Sequence, residues 1–414
     1  MAANASLYKS HKMASPHEIP NDLLINQCQI QKWNSEEVFV YVLNLTWILA
    51  RTIFDLGLRY SGDMILAVLV ILLIYSTYKA YFSPIVYIRN LTEIGFEHVP
   101  YLKGVDGAMH LTLAQKNRQL GYKIPSPYPN GWYAIAESYE LKIGTVQTAT
   151  ALGLNFCVYR GEDGVARVVD AYCPHLGANL GIGGEVKGNC IECPFHQWRF
   201  DTEGKCIHIP DVENIPKGVS IKTWETMEVD GAVWIWYDAE GRPPMWKSPP
   251  HEDSKDYGYR GRNEFIISAH IRMSFLTNTE WNRTEDWHIA EMKIDQSYMM
   301  MSCDIFPFNV VVKQIGPAQV RLFFNSKLGP MVVYQSITPI GPMLLKVVHR
   351  VYSPSYIALF GAVMVYGEAY QTHVSSPPFV KPDKAVKAFR DWYSQFYSPN
   401  SKSMKDALQN PLEW

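Results

Sequence analysis

The longest uncharged apolar run, residues 64–78 (MILAVLVILLIYSTY), lies between Asp63 and Lys79 and is followed by Tyr81 and Phe82. As a helix it covers only about 22 Å, against a hydrocarbon core of roughly 30 Å. Taking in residues 58–62, and letting Lys79 and the tyrosines reach for the headgroups, lengthens the span. The pattern therefore predicts a single transmembrane anchor over residues 58–82. A second run, residues 38–50 (VFVYVLNLTWILA), is closed by Arg51 and Asp55; it reads as an interfacial helix or half of a hairpin within an N-terminal region, residues 1–57. The competing reading makes both runs buried core helices. Residues 1–37 are polar and do not pass from a charged start into an apolar stretch, which argues against a cleaved signal peptide. Lys79, Arg89 and Lys103 follow the span, whereas Arg51 and Arg59 before it are offset by Asp55 and Asp63. That bias points to a single-pass protein with its C-terminal side in the cytosol, for which the endoplasmic reticulum is the expected membrane.

After a connecting region, residues 83–129, the period of the pattern shortens to two. Segments 132–136, 146–150, 155–160, 165–170 and 232–237 alternate like strands, with turn residues at 161–164 and at Asp230 and Gly231. They predict a small antiparallel β domain over residues 130–240, closed by a Pro-rich linker at 241–250 (GRPPMWKSPP). Further strands are expected at 264–271, 288–294, 309–314, 319–325 and 331–338, followed by an apolar helix at 342–351. Residues 251–400 thus read as a helix-over-sheet domain of helix-grip type, and the chain as a whole as an α+β protein.

Composition narrows the function classes. With 38 basic against 40 acidic residues the net charge is −2, so there is no cationic surplus for nucleic acid. Seven cysteines are too few and too irregular for a disulfide framework. Cys28, Cys157, Cys190, Cys206 and Cys303 read as buried or incidental thiols in a reducing compartment.

The two remaining cysteines carry the chemistry. Cys173-Pro-His175 is followed, after seventeen residues, by Cys193-Pro-Phe-His196. Each half offers one thiolate and one imidazole on a short loop. Two facing loops of this kind can give one iron two thiolates and the other two imidazoles, the ligand set of a Rieske [2Fe–2S] centre. Gly177, Gly181, Gly183 and Gly184 lie between the halves, where tight turns are needed. A Cys₂His₂ zinc site is the alternative, though zinc sites usually pair cysteine with cysteine on one arm. Cys190 forms a CxxC with Cys193, which the longer pattern already claims.

The segments NGWYAIAES (130–138), CPHLGANLG (173–181), IECPFHQWRFD (191–201), VVHRVYSP (347–354) and AFRDWYSQFYS (388–398) resemble Rieske non-haem iron oxygenases, and more closely their cholesterol 7-desaturase (Neverland) group. The resemblance runs from about residue 60 onward. It implies an oxidoreductase of sterol metabolism in which electrons from NAD(P)H pass through a reductase to the cluster and on to a mononuclear Fe(II) in the C-terminal domain. There oxygen is activated and cholesterol becomes 7-dehydrocholesterol, in an apolar cavity of that domain. It also implies a membrane-anchored homotrimer in which a cluster serves the neighbouring subunit. A plain Rieske electron carrier is the other class, but the respiratory type carries an extra Cys in each loop where Ala178 and Phe195 stand here. A sterol-binding protein without redox activity is opposed by the intact ligand set.

For the second iron the resemblance implies two histidines and a carboxylate, the histidines arriving on an Asp-x₂-His-x₄-His helix. The nearest string, Glu285-Asp286-Trp287-His288, is followed five residues on by Lys293, a cation and no metal ligand. The chain reads as shortened near 272–287 and 369–378. The expectation is therefore a protein that binds the cluster but not the mononuclear iron, an inactive relative or isoform that does not desaturate sterol by itself. His270, His288, His349, His373 and Glu368 are the residues from which a substitute site would be drawn.

Overall fold

The computed structural model describes residues 62–89, 125–250, 257–267, 280–300, 303–358 apart from 343, and 384–409, with residues 51, 361 and 365 besides. The chain divides into two compact units, Met1–Tyr75 and Ser76–Trp414. The run 38–50 lies outside the described residues.

The apolar run 64–78 sits within helix α1, Gly62–Phe82. Its apolar side chains from Leu66 to Tyr75 are exposed where described, Leu73 by 68%. Among the described residues, however, no helix is long and apolar enough to cross a membrane. The expected single-pass anchor over residues 58–82 is therefore not supported. The charge-free part, bounded by Asp63 and Lys79 within one helix, remains about 22 Å long.

Only Ser83 and Pro84 separate α1 from strand β1, Ile85–Arg89. The small β domain follows. Its strands are β2 (Gly131–Glu137), β3 (Val146–Ala151), β4 (Leu154–Arg160), β5 (Ala166–Asp170), β6 (Glu185–Lys187), β7 (Cys190–Glu192), β8 (Arg199–Phe200), β9 (Cys206–His208), β10 (Thr223–Trp224), β11 (Thr226–Val229) and β12 (Ala232–Tyr237). They form three sheets, ordered β10-β5-β4-β3, β11-β12-β2 and β6-β7-β8-β9. Asp230 and Gly231, with φ of 56° and 74°, form a two-residue turn that pairs Val229 with Ala232. Positive φ at both central residues gives a turn whose twist matches the right-handed twist of the flanking strands, as a tight hairpin needs.

The C-terminal part is one open sheet. Strands β13 (Gly258–Ile267), β14 (Glu280–Arg283), β15 (Ile289–Met300), β16 (Cys303–Ile315), β17 (Gln319–Ser326), β18 (Gly329–Gly341) and β19 (Leu344–Ser353) join β1 in the order β1-β13-β19-β18-β17-β16-β15-β14. Every pairing is antiparallel except β1 with β13. The helix expected at 342–351 is not there. That segment is β19, paired on both sides, by β13 and by β18. Its residues are buried or half-buried on both faces, Lys346, His349 and Arg350 among them, so LLKVVHRVYS shows no two-residue alternation, and periodicity alone does not separate such a buried strand from a buried helix. The β-branched Val347, Val348 and Val351 favour the strand. The helix that does pack on the sheet is α2, Lys384–Tyr393, and α3, Met404–Gln409, follows it. The Trp392 indole donates to the Trp287 carbonyl (2.9 Å) and the Tyr393 hydroxyl to the Pro317 carbonyl (3.0 Å).

The β domain and the open sheet share one hydrophobic core, from Trp132 and Trp234 to Met292, Ile337 and Trp392. Two buried ion pairs cross the same boundary. Arg350 on β19 grips both carboxylate oxygens of Glu137 at the end of β2, through Nε at 2.7 Å and through Nη2, and also reaches the Ser336 hydroxyl (3.1 Å). Arg321 on β17 holds Asp230 in the β11–β12 turn at 3.0 and 3.1 Å, and Gln319 joins it at 2.6 Å. Bidentate guanidinium–carboxylate bonds of this kind offset the cost of desolvating both charges only while both partners are present. Arg350→Ala should therefore cost about 3–5 kcal/mol in urea unfolding. Adding Glu137→Ala should recover part of that loss. Strictly additive losses would show that the two side chains are not coupled.

Candidate metal centre

Two loops carry the candidate ligands, one spanning residues 173–178 between β5 and β6 and the other 193–198 between β7 and β8. They are built alike. The Cys173 N–H donates to the Ala178 carbonyl and the Gly177 N–H to the Cys173 carbonyl, both at 2.9 Å. The Cys193 N–H donates to the Trp198 carbonyl at 2.8 Å and the Gln197 N–H to the Cys193 carbonyl at 3.1 Å. Each cysteine is followed by proline, and each fifth residue, Gly177 at φ 75° and Gln197 at φ 55°, turns the chain through the left-handed region. That conformation is free of strain for glycine and costs energy for glutamine, which marks the second loop as held by its surroundings. Gly184 is required for a different reason. A Cβ there would stand 2.2 Å from the Leu180 carbonyl oxygen.

The loops order their four candidate ligands by depth. Cys173 and Cys193 are buried, 3% and 2% exposed, in a small core with Tyr159, Leu180, Ile191 and Phe200. His175 and His196 are exposed. Their rings stand edge to face with centroids 4.7 Å apart. Burial, opposed in part by a backbone hydrogen bond at His175 and reinforced by the neighbouring Cys193, pushes the Cys173 thiol up to about 11. Metal binding at this thiol therefore has to displace a proton.

The donor set fits a two-iron cluster. Two thiols lie together inside and two imidazoles together outside, one like pair for each iron. A single zinc ion would need all four groups around one point. Among the described residues no three or more His, Cys, Asp or Glu side chains converge in that way. Cys190, half-buried on β7, and the buried Cys157 and Cys206 are free thiols. Cys28 lies outside the described residues.

Trp198 escaped the sequence reading. Its indole lies flat on the His175 ring, centroids 4.2 Å apart and planes 7° from parallel. Only its place directly after the second loop's turn hinted at such a role. Leu176 and Phe195, 68% and 67% exposed, stand at the loop tips, and Ile182 is exposed between the loops in sequence.

Among the described residues of the C-terminal part no three or more potential metal ligands converge. Of the five residues considered for an iron site, His270, His373 and Glu368 lie outside the described residues. His288 stacks on Trp246 with centroids 5.4 Å apart, and its buried Nδ1 has no hydrogen-bond partner. Burial pushes this imidazole down, towards the neutral form. His349, on β19, packs edge-on against Phe265 at 5.5 Å. Lys293 is exposed on β15, as the strand-like alternation of HIAEMKID requires.

Residues 131–225 match the family described as Rieske [2Fe-2S] domain. The cholesterol 7-desaturase nvd of Bombyx mori is 46% identical over 417 aligned positions, covering 90% of this chain and 91% of that protein. The Drosophila melanogaster and Xenopus laevis proteins of the same name are 37% and 35% identical, covering 69% and 84% of this chain and 79% and 88% of their own. The alignment to the Bombyx protein is longer than this whole chain, so that relative carries positions with no counterpart here. Among solved structures, Pseudomonas putida CBB5 NdmB superposes with a TM-score of 0.52 at 16% identity, covering 70% of this chain and 98% of its own. Apo dicamba monooxygenase superposes at 0.50 and 17%, covering 65% and 96%.

Replacing Cys173 by Ser should abolish the visible absorption of the purified protein together with its acid-labile sulfide. A colourless wild-type protein holding stoichiometric zinc would refute the ligand assignment.

Proposed function

Because this chain belongs to the cholesterol 7-desaturase family of Rieske oxygenases, we propose that it converts cholesterol to 7-dehydrocholesterol with oxygen and electrons drawn from NAD(P)H. The observation that carries the reading is the pair of matched loops, with thiols inside and imidazoles outside, in a chain aligned along nine-tenths of its length with a desaturase. When bound, the cluster takes up and passes on one electron at a time. In this assignment the buried Cys173 and Cys193 would hold one iron of the cluster, and the exposed His175 and His196 the other. The exposed imidazoles, with Leu176 and Phe195 at the loop tips, offer a partly apolar contact from which a docking protein can exclude water. Two such partners belong to the proposal: an NAD(P)H-dependent reductase, and a neighbouring copy in a homotrimer that receives the electron.

Specific observations favour a second reading, in which the cluster is charged but no sterol is desaturated by this chain alone. Lys293 occupies the position where the relevant motif would place an imidazole, and relatives carry aligned positions that this chain lacks. Among the described residues no set of His, Asp or Glu side chains fits a mononuclear iron. Reconstitution with reductase, NADPH, oxygen and cholesterol separates the two readings. The first expects 7-dehydrocholesterol above the no-enzyme control and about three irons per chain; the second expects a reduced cluster, no product and about two irons. A cluster that NADPH and reductase leave oxidised would sink both.

Membrane attachment through α1 completes the proposal, on the endoplasmic reticulum with the cluster in the cytosol. Its support is the exposed aliphatic surface from Leu66 to Tyr75, with Tyr78 and Lys79 beyond it suited to headgroups. Such a helix can lie at the interface or enter the bilayer without needing a full span. The protein should stay with membranes through alkaline carbonate and leave them in detergent. Release by carbonate alone would rule out integral attachment.

A further inference from the structure

An imidazole on a short exposed loop turns readily about its last torsion, where the energy wells are broad. A metal needs the ring held so that one nitrogen lone pair points at it. Proteins usually fix that plane with a hydrogen bond to the far nitrogen. At His175 the structure offers another device. The Trp198 indole covers one face of the ring, nearly parallel, at 4.2 Å.

The origin of that indole matters. Trp198 closes the second loop, and its carbonyl accepts the Cys193 N–H at 2.8 Å, so its backbone is tied to the opposite ligand arm. The stack therefore crosses from one loop to the other. The equivalent closing residue of the first loop is Ala178, buried and too small to return the contact. Among the described residues, both ring contacts of His196 are edge-on, to His175 at 72° and to Phe195 at 78°. Two loops with matching backbones thus hold their imidazoles by different means.

We infer that Trp198 is a positioning residue for the cluster, locking the plane of His175 and strapping the first ligand loop to the second. It touches a ligand and not the reacting atoms. The inference rests on the reading that these loops hold a Rieske cluster, and it goes beyond that reading by making the two imidazole ligands inequivalent. Without the strap, His175 rotates and water reaches the outer iron. An oxidised cluster of this type is neutral with its two thiolates and gains one negative charge on reduction, so added water favours the reduced form and raises the potential.

The test compares the purified full-length protein with Trp198→Phe, Trp198→Leu and Trp198→Ala. Leucine keeps apolar bulk without a flat ring; phenylalanine restores the ring. Iron release to a ferrous chelator should be roughly 10-fold faster in the Leu and Ala variants. Their reduced cluster should give a broadened electron paramagnetic resonance spectrum and a higher midpoint potential. The Phe variant should return all three measurements close to the wild type. If the Leu variant keeps the wild-type spectrum and release rate, or if Phe is as damaged as Ala, the inference is overturned. If the wild-type protein itself holds no cluster, the underlying reading fails instead. Should the Ala variant not fold, the Leu and Phe pair still decides the matter.

Discussion

Two guanidinium–carboxylate pairs withdrawn from water, Arg350 with Glu137 and Arg321 with Asp230, fix the seating of the small β domain on the open sheet. Hydrophobic contact alone would let the β2–β12 face slide over β17, β18 and β19, because apolar packing has little directional preference. A fork of two parallel hydrogen bonds tolerates no such shift. Both arginines come from neighbouring parts of one sheet, and both acids come from the ends of strands in one three-stranded sheet. Rotation and translation are therefore constrained together. Burial of such pairs adds little net stability compared with apolar packing, so their contribution is to alignment.

The cluster loops stand apart from that boundary. Cys173 and Cys193 belong to a separate small core with Tyr159, Leu180 and Phe200, while Trp132, Trp234 and their neighbours belong to the core shared with the open sheet. Loss of a cluster ligand is thus expected to disturb one core and leave the other. Thiols inside and imidazoles outside leave the histidine side open to solvent, and Leu176 and Phe195 supply apolar surface there.

Local features were legible in the sequence. The strands of the β domain follow alternation and turn residues, and 232–237 was placed to the residue because the Asp230–Gly231 turn and Tyr237 bound it. The four proposed cluster residues stand out in the sequence because iron–sulfur chemistry demands specific side chains at short spacing, and the structure places the two thiols inside and the two imidazole rings side by side. What the sequence did not disclose depends on distant partners. Glu137 and Arg350 lie 213 residues apart, and nothing near either announces the other. The run 344–353 is buried or half-buried on both faces because β13 and β18 flank it, so it lacks the alternation of a half-exposed strand and its period suggests a helix. Trp198 is the intermediate case: its position was visible, but its stack on His175 exists only after the two loops face each other.

The geometry of β15 bears on where an oxygen-activating iron could be held. From Arg283 opposite Ala290 to Glu280 opposite Lys293, β14 is paired residue by residue with β15, and β15 is paired in turn with β16 from Ile289 opposite Ile315 onward. Ala290 and Met292 are buried while Lys293 is exposed. A helix presenting two histidines with four residues between them would have to break both ladders and bring the buried side chains out. The described stretch 280–300 therefore has no room for such a helix. His288, at the mouth of the β14–β15 turn, is committed to Trp246 on one face and has Trp287 edge-on beside it. Among the described residues no three His, Cys, Asp or Glu side chains converge, so a three-ligand site must draw at least one of its groups from outside them, where His270, His373 and Glu368 lie.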